Sequence, residues 1–159
     1  MEQEIINSYS KLSSINVSRE TLLDFESYIS MILKKNKEIN LISQKKAKKN
    51  YIIDRHIIDS AQIIDFIDLN SNTTTDLGSG GGMPGIIVAI MLKNLKNNMR
   101  VHLYEKSYHK SNFLREVSKK LNLKTEIYQK NIFEIKNLKT GTIISRAFKP
   151  IPVVLDLVY

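Results

Sequence analysis

The segment TDLGSGGGMPG at residues 75–85 decides the fold that this sequence predicts. Threonines and a leucine surround its acidic residue, Asp76, and an apolar run follows at residues 86–92. This order predicts a strand, a glycine turn and a helix, and Pro84 suits the first turn of that helix. In open α/β sheets, a loop at the C-terminal end of a parallel strand binds nucleotide-like ligands, so the first hypothesis is a cofactor site.

Two glycine patterns overlap in this loop. Gly80, Gly82 and Gly85 satisfy the dinucleotide fingerprint GxGxxG. Asp76 followed by Gly78, Gly80 and Gly82 satisfies the DxGxGxG pattern used with S-adenosylmethionine. Because glycine has no Cβ, the backbone at 78, 80 and 82 can pass close to a ligand. The patterns alone leave both cofactors open.

Two acidic residues refine the choice of ligand. Glu105 ends the second predicted strand, where a carboxylate can bind the vicinal hydroxyls of a ribose in either cofactor. Asp76 directly precedes the loop, where it would attract the ammonium and sulfonium of S-adenosylmethionine and repel the pyrophosphate of NAD. Asp76 therefore favours the methyl donor.

Strands and helices alternate through most of the chain. Helices are predicted at 19–37 and 46–67, and then strands at 73–77, 100–105, 125–129 and 142–147 enclose helices at 84–95 and 107–121 and a short turn or helix at 131–137. This alternation predicts a parallel Rossmann-like sheet with helices on both faces. We assign residues 1–70 to an N-terminal helical extension and residues 71–159 to the cofactor-binding domain. Four strands are only part of a doubly wound sheet, so the C-terminal strands are expected to be missing.

Composition narrows the class of protein. Hydrophobic residues make up 42% and charged residues 25% of the chain, which is ordinary for a soluble globular domain. There is no cysteine, which excludes disulfides and thiolate metal sites. With neither a signal peptide nor a membrane-spanning run in the sequence, we expect a cytoplasmic protein.

A basic segment at residues 34–50 concentrates the positive charge. It holds seven lysines and a single acid, Glu38, in a chain of net charge +8. Clustered positive charge favours nucleic acid, although it carries no information about base sequence and also suits a solvated surface. The candidate RNA-binding residues of this segment are Lys45, Lys46, Lys48 and Lys49.

The segment RHIIDS at residues 55–60 places His56, Asp59 and Ser60 on one helical face. Three groups on one helix cannot form a hydrolytic triad. Three histidines in the chain and no HExxH pattern also argue against a metal site. Packing of this helix over the cofactor end of the sheet remains the simplest alternative to a role in substrate binding.

Five segments together resemble the bacterial RsmG (GidB) family, whose members methylate N7 of a guanine in the 530 loop of 16S ribosomal RNA. They are NLIS at 40–43, RHIIDS at 55–60, DLGSGGGMPG at 76–85, FLRE at 113–116 and ISRAF at 144–148. The resemblance covers roughly residues 25 to 150. It implies a class I methyltransferase fold, S-adenosylmethionine as cofactor, and the small ribosomal subunit or its precursor as partner of a metal-free monomer.

The resemblance also suggests roles for individual residues. Gly78 and Met83 would touch the donor, and Ile132 and Phe133 would lie along its adenine. Arg146 would lie beside the transferring methyl, where it is the candidate catalytic residue and a further cofactor contact. Arg55 and His56 would lie near the target base.

N7 of guanine has a free lone pair and no proton, so its methylation needs no general base. The absence of an acid–base pair in the sequence is consistent with that chemistry. Two alternatives stay open: an NAD-type oxidoreductase that uses the GxGxxG loop, and an inactive RNA-binding or ribosome-assembly protein with the same fold.

Overall fold

A computed structural model of the chain describes residues 7–15, 17–136 and 138–158. Its described part contains one sheet of four parallel strands in the order β3-β2-β1-β4. The strands are β1 (Thr73–Leu77), β2 (Arg100–Tyr104), β3 (Thr125–Tyr128) and β4 (Thr142–Ser145). All four predicted strands are therefore confirmed, and the structure ends β2, β3 and β4 one or two residues earlier than predicted.

The predicted long helices are also confirmed. Helix α1 (Arg19–Lys35) begins after Ser18, whose hydroxyl accepts a hydrogen bond of 3.2 Å from the backbone N–H of Thr21. Two helices connect the strands, α4 (Gly85–Asn94) and α5 (Tyr108–Leu121), and α6 (Ile151–Val158) follows β4. Pro84 precedes the first residue of α4 rather than lying within it.

The predicted helix at 46–67 is a composite of several helical types. It comprises α2 (Lys49–Ile52), a π-helical turn (Ile53–Ile58), α3 (Asp59–Ala61) and a 3-10 turn (Gln62–Phe66). The predicted apolar face is confirmed, since Ile53, Ile57, Ala61, Ile64 and Ile67 are all buried. A periodicity of three to four residues does not distinguish these helical types, and the π turn is the part that matters for the site.

The two faces of the sheet are covered unequally. Side chains alternate along each strand, so Val101 and Leu103 of β2 join a large core while Tyr104 joins a small second cluster with Leu77. The large core also takes in the buried residues of α1, the composite helix, α4 and α5. The small cluster on the opposite face includes Ile132 and Val154 of α6. The loops at the C-terminal edge of the sheet thus rest on a rigid base.

The N-terminal helices share the large core with the sheet. Phe25, Tyr28 and Ile29 of α1 are buried in the same cluster as Leu103 and Leu114. A boundary near residue 70 stays a prediction, but the core is continuous across it.

Candidate functional site

The glycine loop is fixed in place by hydrogen bonds to three residues outside it. The N–H groups of Gly78 and Ser79 both donate to the carbonyl of Tyr104, at 3.0 Å. The N–H of Gly80 donates to Oε2 of Glu105 at 2.8 Å. From the other side, the Tyr28 hydroxyl donates to the carbonyl of Gly81 at 2.7 Å. The backbone of the loop is therefore preorganised for a ligand.

Two of the predicted glycines are required by the protein's own packing. Gly78 has φ +72°, and a Cβ there would lie 2.1 Å from the ring of Phe148. Gly82 has φ +99°, and a Cβ there would lie 2.5 Å from Ile86 and 2.9 Å from the Tyr28 hydroxyl. Gly80 also has a positive φ, of +56°, but the space around it is open. Of the three, only Gly80 matches the expectation of a position kept clear for a ligand.

A cavity of about 390 Å³ opens above the loop, at the C-terminal ends of the strands. This volume lies within the range of small-molecule sites. Seven of the predicted site residues line it: Gly78, Gly80, Met83, Glu105, Ile132, Arg146 and His56. The strand order puts the residues after β2 and β3 on one side of the loop and Arg146, after β4, on the other.

Glu105 is a fixed acceptor in the wall of this cavity. The residue is 8% exposed, and its Oε1 accepts a hydrogen bond of 2.7 Å from the N–H of Ser107. Oε2 holds the N–H of Gly80. Each carboxylate oxygen can accept more than one hydrogen bond, so both oxygens retain capacity for the hydroxyls of a ribose. The geometry fits the predicted role.

Asp76 lies beneath the loop and not in the cavity wall. Its side chain is fully buried, and its Oδ2 accepts a hydrogen bond of 3.1 Å from the N–H of Gly85. Strand alternation turns it toward the face that the helices cover, so its carboxylate anchors the start of α4. The pKa of Asp76 is raised to about 7, chiefly by burial and also by the charge of Glu105, against the hydrogen bonds from Ser79 and Gly85. Direct contact with a cationic ligand stays a prediction.

Arg146 enters the cavity from the end of β4. Its Nη2 donates a hydrogen bond of 2.6 Å to the backbone carbonyl of Arg55, while Nη1 is buried and has no hydrogen-bond partner among the described residues. The next residue, Ala147, has φ +51°, a conformation that non-glycine residues rarely adopt. This turn brings both Arg146 and Phe148 to the cavity.

His56 lies in the π turn and reaches the same cavity. Its pKa is lowered to about 4, chiefly by burial and also by the charge of Arg146, against an opposing effect of Asp59. Neither ring nitrogen has a hydrogen-bond partner in the described part of the chain. The ring is uncharged near neutral pH.

The lysines of the basic segment lie outside the cavity wall. Lys45, Lys46, Lys48 and Lys49 are exposed, as is Arg55, whose backbone carbonyl holds Arg146. Part of the charge is used internally: Lys49 pairs with Glu26 and Lys35 with Glu38, each at 2.7 Å. Their contact with RNA stays a prediction.

Some of the cavity wall was missed by sequence reasoning, and some predicted residues lie elsewhere. The additional lining residues include Leu41, Ile42, Lys106, Lys110, Lys130 and Phe148. Among the described residues, Gly82 and Phe133 are not part of the lining. Phe133 is 48% exposed, and the centroid of its ring lies 6.1 Å from that of Phe148. The segments NLIS and ISRAF already contained Leu41, Ile42 and Phe148, whereas the isolated lysines left no signal.

Within the described ranges, no group of three or more acidic or histidine side chains could hold a metal ion. Among the same residues, no helix is both long and apolar enough to cross a membrane.

The parallel sheet, the glycine loop after β1 and the acid after β2 define a class I methyltransferase fold. A putative protein-L-isoaspartate O-methyltransferase from Plasmodium falciparum, solved with S-adenosyl-L-homocysteine, has a similar fold. The TM-score is 0.59 at 18% sequence identity, and the match covers 98% of this chain and 78% of that one.

The chain belongs to the GidB family, described as rRNA small subunit methyltransferase G, whose sequence profile matches residues 21–158. A ribosomal RNA small subunit methyltransferase G from Pelagibacter ubique is 60% identical over 157 residues, which cover 99% of this chain and 74% of the relative. The protein of that name from Jannaschia sp. is 37% identical, and the match covers 84% of this chain and 63% of the relative. The chain thus spans about two thirds to three quarters of these relatives.

Proposed function

We propose that this chain binds S-adenosylmethionine in the cavity above the glycine loop and methylates N7 of a guanine in the 530 loop of 16S rRNA. Family membership supports the reaction, since the relatives carry the name ribosomal RNA small subunit methyltransferase G. The observation that carries the proposal is a single cavity lined by Glu105 and Ile132 on one side and by Arg146 and His56 on the other.

The start of helix α4 favours S-adenosylmethionine over NAD. Dinucleotide sites place the pyrophosphate against free N–H groups at this helix N-terminus. Here Pro84 has no N–H, that of Gly85 is bonded to Asp76, and that of Ile86 is bonded to the carbonyl of Gly82 at 2.8 Å. The N–H groups of Gly85 and Ile86 are therefore not free to bind a pyrophosphate, and the buried acid Asp76 lies next to them.

The residues present fit the methyl donor. Glu105 can accept the ribose hydroxyls, and the buried side chain of Ile132 offers an apolar surface to an adenine ring. When bound, the donor supplies an electrophilic methyl group, whose bond to sulfur breaks as its bond to N7 of guanine forms. The products are S-adenosylhomocysteine and a positively charged 7-methylguanine. The site accordingly has to orient the base and exclude water rather than remove a proton.

Three lysines at the cavity suit the phosphates of the RNA. Lys106, Lys110 and Lys130 line the cavity, and none forms an ion pair with a described residue. Unpaired ammonium groups can replace the counterions of a nucleic acid without first giving up an ion pair within the protein. We place the RNA backbone at these lysines, with Lys45, Lys46 and Lys48 as further contacts. The protein would act as a cytoplasmic monomer.

Two measurements test this proposal. Titration calorimetry with S-adenosylmethionine and with NAD should give binding for the first only. Small ribosomal subunits that lack the modification should then gain one 7-methylguanosine in the 530 loop when incubated with the protein and the donor. Binding of NAD would favour the oxidoreductase, and RNA binding without any methylation would favour the inactive assembly protein.

A further inference from the structure

Two side chains of the cavity wall carry polar atoms that the protein leaves unpaired. Both ring nitrogens of His56 and the Nη1 of Arg146 are buried without a hydrogen-bond partner among the described residues. Both side chains line the cavity. Buried polar groups in folded proteins are normally paired, so unpaired ones at a cavity wall point to a ligand that completes them.

We propose that His56 reads the target guanine, with an N–H of its imidazole donating to O6 of the base. The inference rests on the proposed function and names the residue that recognises and orients the base. O6 lies on the same edge of guanine as N7, so a donor to O6 orients that edge while the lone pair of N7 stays free for the methyl group.

Arginine suits this task less well than histidine. An arginine that binds guanine in its usual paired mode contacts O6 and N7 together, which would occupy the lone pair that has to attack. It also brings positive charge to a site where the charge of the donor moves onto the base. Arg146 is held from its far side by the carbonyl of Arg55, which leaves Nη1 for a phosphate or for the second lone pair of O6.

The surroundings of His56 keep its ring uncharged. Burial is the largest cause of its low pKa, Arg146 and Lys46 lower the pKa further, and the nearby acid Asp59 opposes them. The ring of Tyr51 packs edge-on against it, with centroids 5.8 Å apart. A neutral imidazole retains one donor and one acceptor and adds no charge beside a cationic donor.

The backbone around His56 is also unusual. The residue lies in the π turn Ile53–Ile58, and π turns inside helices occur frequently at functional sites. The carbonyl of Arg55 in this turn receives the Arg146 hydrogen bond, so one local distortion brings both unpaired side chains to the cavity.

The test uses small subunits reconstituted with 16S RNA that carries either guanosine or 2-aminopurine at the target position. The 2-aminopurine base keeps N7 and lacks O6. At saturating S-adenosylmethionine, His56→Leu should slow single-turnover methylation of guanosine at least tenfold. It should slow the methylation of 2-aminopurine much less, because that base has no O6 for His56 to bind. His56→Asn keeps a neutral N–H donor and should recover part of the guanosine rate.

The outcomes separate this inference from the function on which it rests. A far-UV circular dichroism spectrum and a urea unfolding midpoint close to those of the unmodified protein establish that each variant is folded. Equal slowing on both bases, or no slowing on guanosine, overturns the role of His56 and leaves the proposed function standing. If the unmodified protein forms no 7-methylguanosine in the guanosine particle, the proposed function fails and this inference fails with it.

Discussion

Nη2 of Arg146 donates a hydrogen bond of 2.6 Å to the backbone carbonyl of Arg55, a residue 91 positions earlier in the chain. This bond joins the end of β4 to the π turn that carries His56. One side of the cavity is therefore built from two distant segments. A substitution in either segment should therefore alter the conformation or the pKa of residues in the other.

Replacing Arg146 with glutamine should raise the pKa of His56 from about 4 toward its ordinary value of 6.5. Arg146 is the largest charge effect on that ring, but burial is the larger cause, so the recovery should be partial. An NMR titration of the His56 imidazole measures its pKa in each variant. Asp59→Asn is the matched control and should lower the pKa, because Asp59 raises it. Titration curves that coincide for the two variants would contradict the assignment.

Alanine at Gly80 and at Gly82 should have unequal effects on stability. Both positions have a positive φ, which costs an alanine about 1–2 kcal/mol. At Gly80 there is room for the new methyl group, whereas at Gly82 it meets Ile86 at 2.5 Å. Urea unfolding should therefore give a distinctly larger loss for Gly82→Ala. Equal losses of stability for the two variants would mean that the backbone strain alone, and not the contact with Ile86, determines the effect at both sites.

The pH dependence of stability should contain a contribution from Asp76. Its pKa is about 7 in the folded protein and 3.8 without the fold, so folding favours the protonated acid. That stabilisation is complete below pH 3.8 and is lost as pH rises through 7. Relative to Asp76→Asn, the unmodified protein should lose on the order of 2–3 kcal/mol between pH 5 and pH 8. Urea unfolding of both proteins at the two pH values measures this, and parallel curves would refute it.

The lysines of the cavity should contribute more to RNA affinity than the paired lysines do. Replacing Lys106 and Lys130 with glutamine should reduce the salt dependence of binding to a 530-loop RNA, by about 1–2 in the slope of log K against log salt. The matched double variant changes Lys35 and Lys49, which already pair with Glu38 and Glu26. It should change the slope less. An equal change in slope for the two double variants would contradict the larger contribution of the cavity lysines.

The strands, the long helices and the glycine loop could be predicted from sequence because their signals are local. The orientation of the Asp76 side chain is not a local signal. Its position before the loop predicts attraction to a cationic ligand, which stays a prediction, and strand alternation turns the side chain toward the face that α1 and α4 cover. Which face of a strand is covered depends on the packing of distant helices, and no short motif records it.

The same limit explains the aromatic residues. The resemblance pointed to Phe133, yet Phe148 lines the cavity and lies against Gly78. That contact joins residues 70 positions apart in sequence, through the pairing of β1 with β4. The ion pair of Lys49 with Glu26 is likewise non-local, so the lysine-rich run by itself does not show which lysines pair within the protein.

The hydroxyl oxygen of Tyr28 is the only polar atom of that side chain, and the hydroxyl donates its hydrogen bond to the backbone carbonyl of Gly81. A phenylalanine there would keep the ring's packing and remove one oxygen. The expected effect is a lower affinity for the methyl donor, although the altered residue lies in a helix of the N-terminal part of the chain. Variants grouped by domain would therefore place this one with the wrong function.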